Sequence, residues 1–215
     1  MTDRDRIADY INSLDTGHGV LCDRIAREAR EKGVPVIRRE TAAFLETLVA
    51  ALRPRQILEI GTAVGYSSLV MAGAMDESGH ITTIENYEPR IRQARENLAR
   101  AGETERITLL EGDAGRILEE LEGEYQLIFL DGAKGQYIHW LPSLLKLLAP
   151  GGVLVSDNVL QEGDILESRF AVERRNRTIH ARMRDYLFTL KHTPGLVTSI
   201  LPVGDGVTVS VRKGT

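Results

Sequence analysis

The chain of 215 residues holds a single cysteine, Cys22. One thiol makes no internal disulfide and no cysteine zinc site. Cys22 falls in a helical pattern, where a lone thiol behaves as a small core residue, and a reducing cytoplasm fits. No apolar run reaches the length of a membrane span, and the opening Met-Thr-Asp-Arg-Asp-Arg does not read as a signal peptide, so no membrane partner is expected. Internal repeats, low-complexity stretches and linker-like segments are also missing. With 42% hydrophobic residues the composition excludes disorder. The length suits one domain over residues 1–215, with helices over 1–52 and an α/β core over 53–215. The net charge of −4 argues mildly against a nucleic-acid partner, yet charge is unevenly spread. Seven Lys/Arg and two Asp/Glu lie between Arg169 and Lys191.

What is present is alternation. Helical patterns cover 4–14, 18–32 (closed by Gly33) and 39–52, the last with Phe44, Leu45, Leu48 and Leu52 on one face and ended by Pro54. Short apolar runs at 56–60, 80–84, 106–110, 125–130 and 152–156 read as buried parallel strands. Helices are expected between them at 66–75, 88–101, 114–121 and 136–148. A long helix follows over about 168–191. Two more strands, 196–201 and 206–212, are joined through Val203-Gly204-Asp205-Gly206, a hairpin signal. The predicted fold is an α/β, Rossmann-like, seven-stranded and mostly parallel sheet with a C-terminal antiparallel hairpin and N-terminal helices.

The most informative stretch is Glu59-Ile60-Gly61-Thr62-Ala63-Val64-Gly65-Tyr66-Ser67. It reads as strand end, glycine loop and helix start. Gly61 lets backbone approach a ligand, and a helix start offers unpaired N–H groups. Glu59 would repel a pyrophosphate but suit an ammonium or sulfonium. The spacing is Gly-x-x-x-Gly rather than the dinucleotide Gly-x-Gly-x-x-Gly. These features point to S-adenosylmethionine (SAM) rather than NAD.

Further chemistry sits at the predicted strand ends, which converge on one crevice in an open α/β sheet. Glu85 ends the second strand and can take both hydroxyls of a ribose, or stand as a solvated strand-end acid. In Gly112-Asp113-Ala114 a side-chain acceptor and a backbone N–H can frame an adenine edge; Asp113 also suits the N-cap of the next helix. Asp131 ends the fourth strand and Ser156-Asp157-Asn158 the fifth. Two carboxylates and an amide oxygen form a hard partial shell that suits Mg²⁺ or Mn²⁺. An Asx turn at Asp157-Asn158 is the plainer alternative. Lys134, three residues after Asp131, would lose its proton more easily beside a divalent cation and act as a general base or orient the nucleophile; otherwise it is an exposed lysine near a helix start.

Taken together, Glu-Ile-Gly-Thr-Ala-Val-Gly-Tyr-Ser, Thr-Ile-Glu, Gly-Asp-Ala, Leu-Asp-Gly-Ala-Lys-Gly-Gln-Tyr, Ser-Asp-Asn-Val and Leu-Pro-Val-Gly-Asp-Gly resemble the metal-dependent catechol and caffeoyl-CoA O-methyltransferases, from about Val34 to Arg212. The resemblance implies a class I methyltransferase fold and SAM contacts at Val36, Glu59, Gly61, Ser67, Glu85, Asp113, Ala114 and Asp131. It implies metal ligands at Asp131, Asp157 and Asn158, a catalytic Lys134, and a homodimer with the N-terminal helices at its interface. Gly132 and Ala133 replace bulkier residues of catechol enzymes, and Asn86 stands where an apolar residue packs on the adenosine.

Val159-Leu160-Gln161-Glu162-Gly163 and the Arg-rich helix resemble a bacterial branch that methylates 5-hydroxyuridine at the tRNA wobble position. In that helix Val172, Ile179, Met183, Leu187 and Leu190 share one face; Arg174, Arg177 and Arg184 lie largely opposite, flanked by Arg175 and Arg182. Arginine forks suit phosphates, although an ordinary solvated face has the same pattern. Arg38 and Arg39, near the predicted crevice, extend such a surface. Tyr137 is placed to stack on a base or to pack its helix. The expected activity is Mg²⁺-dependent O-methylation of tRNA 5-hydroxyuridine, with a free catechol-like metabolite as the alternative acceptor. A non-catalytic SAM-binding RNA protein would need neither the metal ligands nor Lys134.

Overall fold

A computed structural model describes residues 3–168 and 170–214. Arg169, where the basic stretch begins, lies outside the described residues. Three helices come first: α1 (Asp3–Ser13), α2 (Val20–Glu31) and α3 (Arg39–Leu52). The sheet then builds from β1 (Gln56–Ile60), β2 (His80–Glu85), β3 (Ile107–Glu111), β4 (Tyr125–Leu130) and β5 (Leu148–Ser156). These are connected by α4 (Tyr66–Ala74), α5 (Glu88–Ala101), α6 (Ala114–Glu120) and α7 (Tyr137–Leu147). After α8 (Arg177–His192), the hairpin β6 (Leu196–Leu201) and β7 (Val207–Arg212) closes the sheet. The strand order is β3-β2-β1-β4-β5-β7-β6. The first five strands pair in parallel and β7 is antiparallel to β5 and β6. The expected seven-stranded class I methyltransferase sheet is therefore present. No helix of the described residues is long and apolar enough to cross a membrane.

Strand alternation splits the core in two. Ile57, Leu127, Phe129, Val153 and Val155 face a layer containing α2, α3 and α4. Their neighbours Leu58, Ile60, Ile128, Leu130 and Leu154 face α7 and α8. A period of two on strands buried on both faces explains why each run is apolar throughout. Cys22 packs half-buried against the first core, as its helical pattern implies. The sheet's order reverses between β1 and β4. That switch point opens a crevice at the C-terminal ends of the strands.

Beyond shifts of one or two residues at element ends, the structure differs from the sequence reading in three places. The long helix does not run from 168; it starts at Arg177, and Gln161–Leu166 and Arg174–Asn176 are 3-10 turns. Arg174 and Arg175 thus sit before the helix, not on it. Within α8 the buried residues are His180, Met183, Tyr186 and Leu190, while Ile179 is partly exposed. The apolar face is rotated because two polar rings share it with the aliphatic residues. Finally, β5 begins at Leu148, with a register shift against β4 that absorbs Pro150-Gly151-Gly152.

Candidate functional site

The glycine loop is fixed by backbone contact. Gly61 has φ 105°, and a Cβ there would overlap the Asp131 carbonyl. Only glycine lets the ends of β1 and β4 approach this closely. The Asp131 N–H donates to the Ile60 carbonyl at 2.9 Å. Next to it, Ala63 (φ 47°) donates its N–H to Glu85 Oε2 at 2.9 Å. Glu85 Oε1 accepts from the N–H groups of Asn86 and Tyr87 at 2.9 and 3.0 Å. Three backbone donors therefore orient the Glu85 carboxylate at the end of β2. Asp113 accepts from the Arg116 N–H at 3.1 Å, which caps α6, and also lines the crevice.

Glu59 is placed differently from the sequence reading. Strand parity turns it with Ile57 toward α4. It is fully buried and does not line the crevice, nor does Ser67. Its carboxylate accepts hydrogen bonds from Ser67 Oγ (2.5 Å), Thr83 Oγ1 (2.6 Å) and Ser68 Oγ. Burial pushes its pKa up, and the three hydroxyls oppose that rise. Glu59 and Ser67 thus stand behind the glycine loop rather than in the cavity wall.

The crevice encloses about 830 Å³. It gathers Val36, Gly61, Glu85, Asp113, Ala114, Asp131, Lys134, Asp157 and Asn158 from six separate segments of sequence. Asp157 Oδ1 and Asn158 Oδ1 are both buried without a hydrogen-bond partner. Asn158 holds φ 59°, a left-handed conformation that asparagine tolerates. Burial, then the Asp157 carboxylate, pushes the Asp131 pKa well up, and Lys134 opposes this. Burial likewise raises Asp157 to about 6. Unpartnered buried oxygens beside a mutually repelling carboxylate pair are the environment a hard cation relieves. Asp131, Asp157 and the Asn158 amide oxygen fit Mg²⁺ or Mn²⁺. Among the described residues no three His, Cys, Asp or Glu side chains cluster as a metal site, because the third donor here is an amide.

Trp140 occupies the space that Gly132 and Gly115 leave. A Cβ on Gly132 would stand 3.2 Å from the Trp140 ring and 3.3 Å from Ile60; one on Gly115 would stand 3.3 Å from the indole nitrogen. The indole lines the crevice in the space the glycines leave. Tyr137 does not stack on a ligand base. It is fully buried, and its hydroxyl donates to the carbonyls of Leu130 (3.2 Å) and Asp157 (3.3 Å). The hydroxyl found partners among the chain ends that form the site, so the ring was drawn inward.

The sequence reading missed Asp205, which it treated only as a turn residue. Asp205 lines the crevice and forks onto Arg38: Arg38 Nε donates to Oδ2 at 2.8 Å, and Nη2 lies 2.6 Å from Oδ1. Its charge raises the pKa of both Asp131 and Asp157. Its carbonyl also accepts from the Leu160 N–H at 3.0 Å, two residues beyond Asn158. The signal was the acid inside Leu-Pro-Val-Gly-Asp-Gly, at the tip of a hairpin that the sequence placed without relating its tip to the crevice.

The arginines expected to form a phosphate face are largely occupied. Arg177 donates to the Val172 and Phe170 carbonyls, Arg184 to the Ile165 carbonyl at 3.3 Å, and Arg182 to the Gly135 carbonyl at 3.0 Å. Arg175 pairs with Glu173 at 2.7 Å. None of these four, nor Arg174, lines the crevice. They brace the turns around α8.

Known proteins share this fold and part of this sequence. The family model described as O-methyltransferase matches residues 21–213. The chain is 31% identical over 186 residues to the tapetum-specific methyltransferase 1 of Arabidopsis thaliana, covering 85% of this chain and 78% of that protein. It is 35% identical over 144 residues to a catechol O-methyltransferase of Niastella koreensis, covering 64% and 65%. The SAH-bound methyltransferase PaMTH1 of Podospora anserina superposes with a TM-score of 0.88 at 26% identity, over 98% of this chain and 95% of that one. Crevice, strand order and family model agree: the chain belongs to the O-methyltransferase family.

Proposed function

We propose that this protein transfers the methyl group of SAM to a hydroxyl that stands beside a second oxygen, with Mg²⁺ or Mn²⁺ held by Asp131, Asp157 and Asn158. The observation that carries this reading is the pair of buried, unpartnered oxygens on Asp157 and Asn158, in one crevice with Asp131 and Lys134. SAM would supply an electrophilic methyl, and the cation would stabilise negative charge on the acceptor oxygen. The chain's own groups do the rest. Glu85 takes the ribose hydroxyls, while Asp113 and the Ala114 N–H frame the adenine. Val36 and Gly61 border the methionine portion. Glu59, aligned by Ser67, Ser68 and Thr83, supplies negative potential behind the loop. Lys134 Nζ takes the acceptor proton. Holding both reactants in one crevice supplies the remaining acceleration.

The acceptor in this reading is the 5-hydroxyl of 5-hydroxyuridine at the wobble position of tRNA, whose neighbouring 4-carbonyl completes the oxygen pair. The product is 5-methoxyuridine. Mass spectrometry of nucleosides from cells with and without the protein tests it. Loss of 5-methoxyuridine with accumulation of 5-hydroxyuridine is expected; unchanged levels would reject this acceptor. The second reading, a free catechol-like acceptor, is favoured by the relative named a catechol O-methyltransferase. It predicts methylation of a small catechol by the purified protein. A cytoplasmic homodimer belongs to either reading. Ile7, Tyr10 and Ile11 of α1, with Leu14 just after it, leave an exposed apolar stripe that would suit its interface.

A further inference from the structure

The crevice carries one large ring that the proposed chemistry does not use. Among the described residues that line it, Trp140 and His139 of α7 carry its two aromatic rings. Trp140 is the chain's single tryptophan. Two glycines show where its ring lies. A Cβ on Gly132 would meet Cζ3 at 3.2 Å and Cη2 at 3.4 Å; one on Gly115 would meet Nε1 at 3.3 Å and Cδ1 at 3.9 Å. The six-membered ring therefore lies against the chain just past β4, and the five-membered edge against the first turn of α6. The indole bridges these two elements along one wall of the crevice.

In the SAM reading of the crevice, the adenine end of the cofactor comes to this wall. Gly115 directly follows Asp113 and Ala114, the pair that frames the adenine edge, and a Cβ on it would also stand 3.1 Å from Asp113 Oδ1. Gly132 and Ala133 offer no side chain large enough to cover a purine, and Asn86, which follows Glu85, presents an exposed amide rather than an apolar face. The indole supplies the missing plane, and Ile60 Cγ2, 3.3 Å from the same Gly132 position, continues it. The half-buried ring is also braced. The Tyr137 ring centroid lies 6.5 Å from that of the indole, with 30° between the planes. Tyr137 is itself fully buried and tied by its hydroxyl to the Leu130 and Asp157 carbonyls. A ring already held in place loses little freedom when a base stacks on it.

We propose that Trp140 is the wall on which the adenine of SAM stacks. One turn into α7, it supplies the plane that Gly132 and Ala133 do not. This rests on the SAM reading of the crevice. Stacking accepts any purine, so the indole contributes affinity. The Asp113 acceptor and the Ala114 N–H then select adenine by its edge. The two glycines keep the indole in place, since a Cβ at either would force it to shift.

The test uses the whole protein, whose single tryptophan makes its fluorescence a report on this one ring. S-adenosylhomocysteine and adenosine should each change the emission and shield the indole from acrylamide; homocysteine should do neither. By calorimetry, Trp140→Ala should weaken S-adenosylhomocysteine binding about tenfold or more, the scale of one aromatic stack, and Trp140→Phe should recover most of the loss. His139→Ala, at the crevice's other ring, should stay within about twofold. Binding of S-adenosylhomocysteine to the wild type with emission and acrylamide quenching unchanged overturns the inference, even if Trp140→Ala fails to fold. Equal affinity of Trp140→Ala and the wild type overturns it as well, and so does an emission change produced by homocysteine and not by adenosine. A wild type that binds no S-adenosylhomocysteine by calorimetry overturns the SAM reading itself, and the inference with it.

Discussion

Arg182 donates from Nη1 to the Gly135 carbonyl oxygen across 3.0 Å, and so ties α8 to the turn that carries Lys134. Ile179, one helical turn earlier, packs against the same glycine: a Cβ on Gly135 would lie 3.5 Å from Ile179 Cγ1 and 3.8 Å from Arg182 Nη1. The helix expected to face RNA therefore braces the turn of the proposed base.

Arg182→Ala should loosen that turn without disturbing the cofactor. Amide exchange at Lys134–Tyr137 should accelerate, and kcat should fall about three- to tenfold, the scale of one hydrogen bond. SAM affinity should hold, and Arg182→Lys should recover part of the loss. Unchanged exchange at those amides would show the contact to be incidental.

Glu85→Ala removes the carboxylate that Ala63, Asn86 and Tyr87 orient. SAM binding should weaken by roughly 1–3 kcal/mol by calorimetry, the range for a hydrogen bond to a charged group. Wild-type affinity in this variant would remove Glu85 from the ribose site.

Glu59 gives a pH signature. Its folded pKa lies above the ordinary 4.5 because burial penalises the charge. The folded state then holds the proton longer than the unfolded chain, so this residue's contribution to stability falls as pH rises above that value. Glu59→Gln abolishes the titration. Urea unfolding should show the variant gaining on the wild type as pH increases. A stability difference flat across pH would mean that the three hydroxyls fully offset burial.

Much of this was legible in sequence, for identifiable reasons. Strands buried on both faces leave short apolar runs, which is why β1 and β4 begin and end where periodicity puts them. Gly61, Glu85, Asp113, Asp131, Asp157 and Asn158 sit at strand ends, and strand ends in such a sheet share a crevice. What was illegible depends on partners distant in sequence. Arg38 and Asp205 are far apart along the chain, and no local pattern pairs them. Tyr137 was drawn inward by two carbonyls that only the folded strands bring together. The direction of Glu59 follows from strand parity, but its three hydroxyl partners come from β2 and α4.

Cys22 should react slowly with thiol reagents. Burial, with Asp23 and Glu46 adding to it, pushes its pKa up to about 11, and only the thiolate attacks. The labelling rate should keep rising with pH beyond the range where a free thiol levels off near 9. A plateau at the free-thiol position would show the side chain to be solvated.

Transfer of isotope-labelled methyl from SAM to 5-hydroxyuridine-containing tRNA, with Mg²⁺ and then with excess chelator, tests the central claim most directly. Asp157→Ala and Lys134→Ala are run beside the wild type, and SAM binding is measured in each. The account predicts label on tRNA only with the cation present, loss of transfer in both variants, and SAM binding retained throughout. Full transfer in chelator by the wild type and by Asp157→Ala would contradict it.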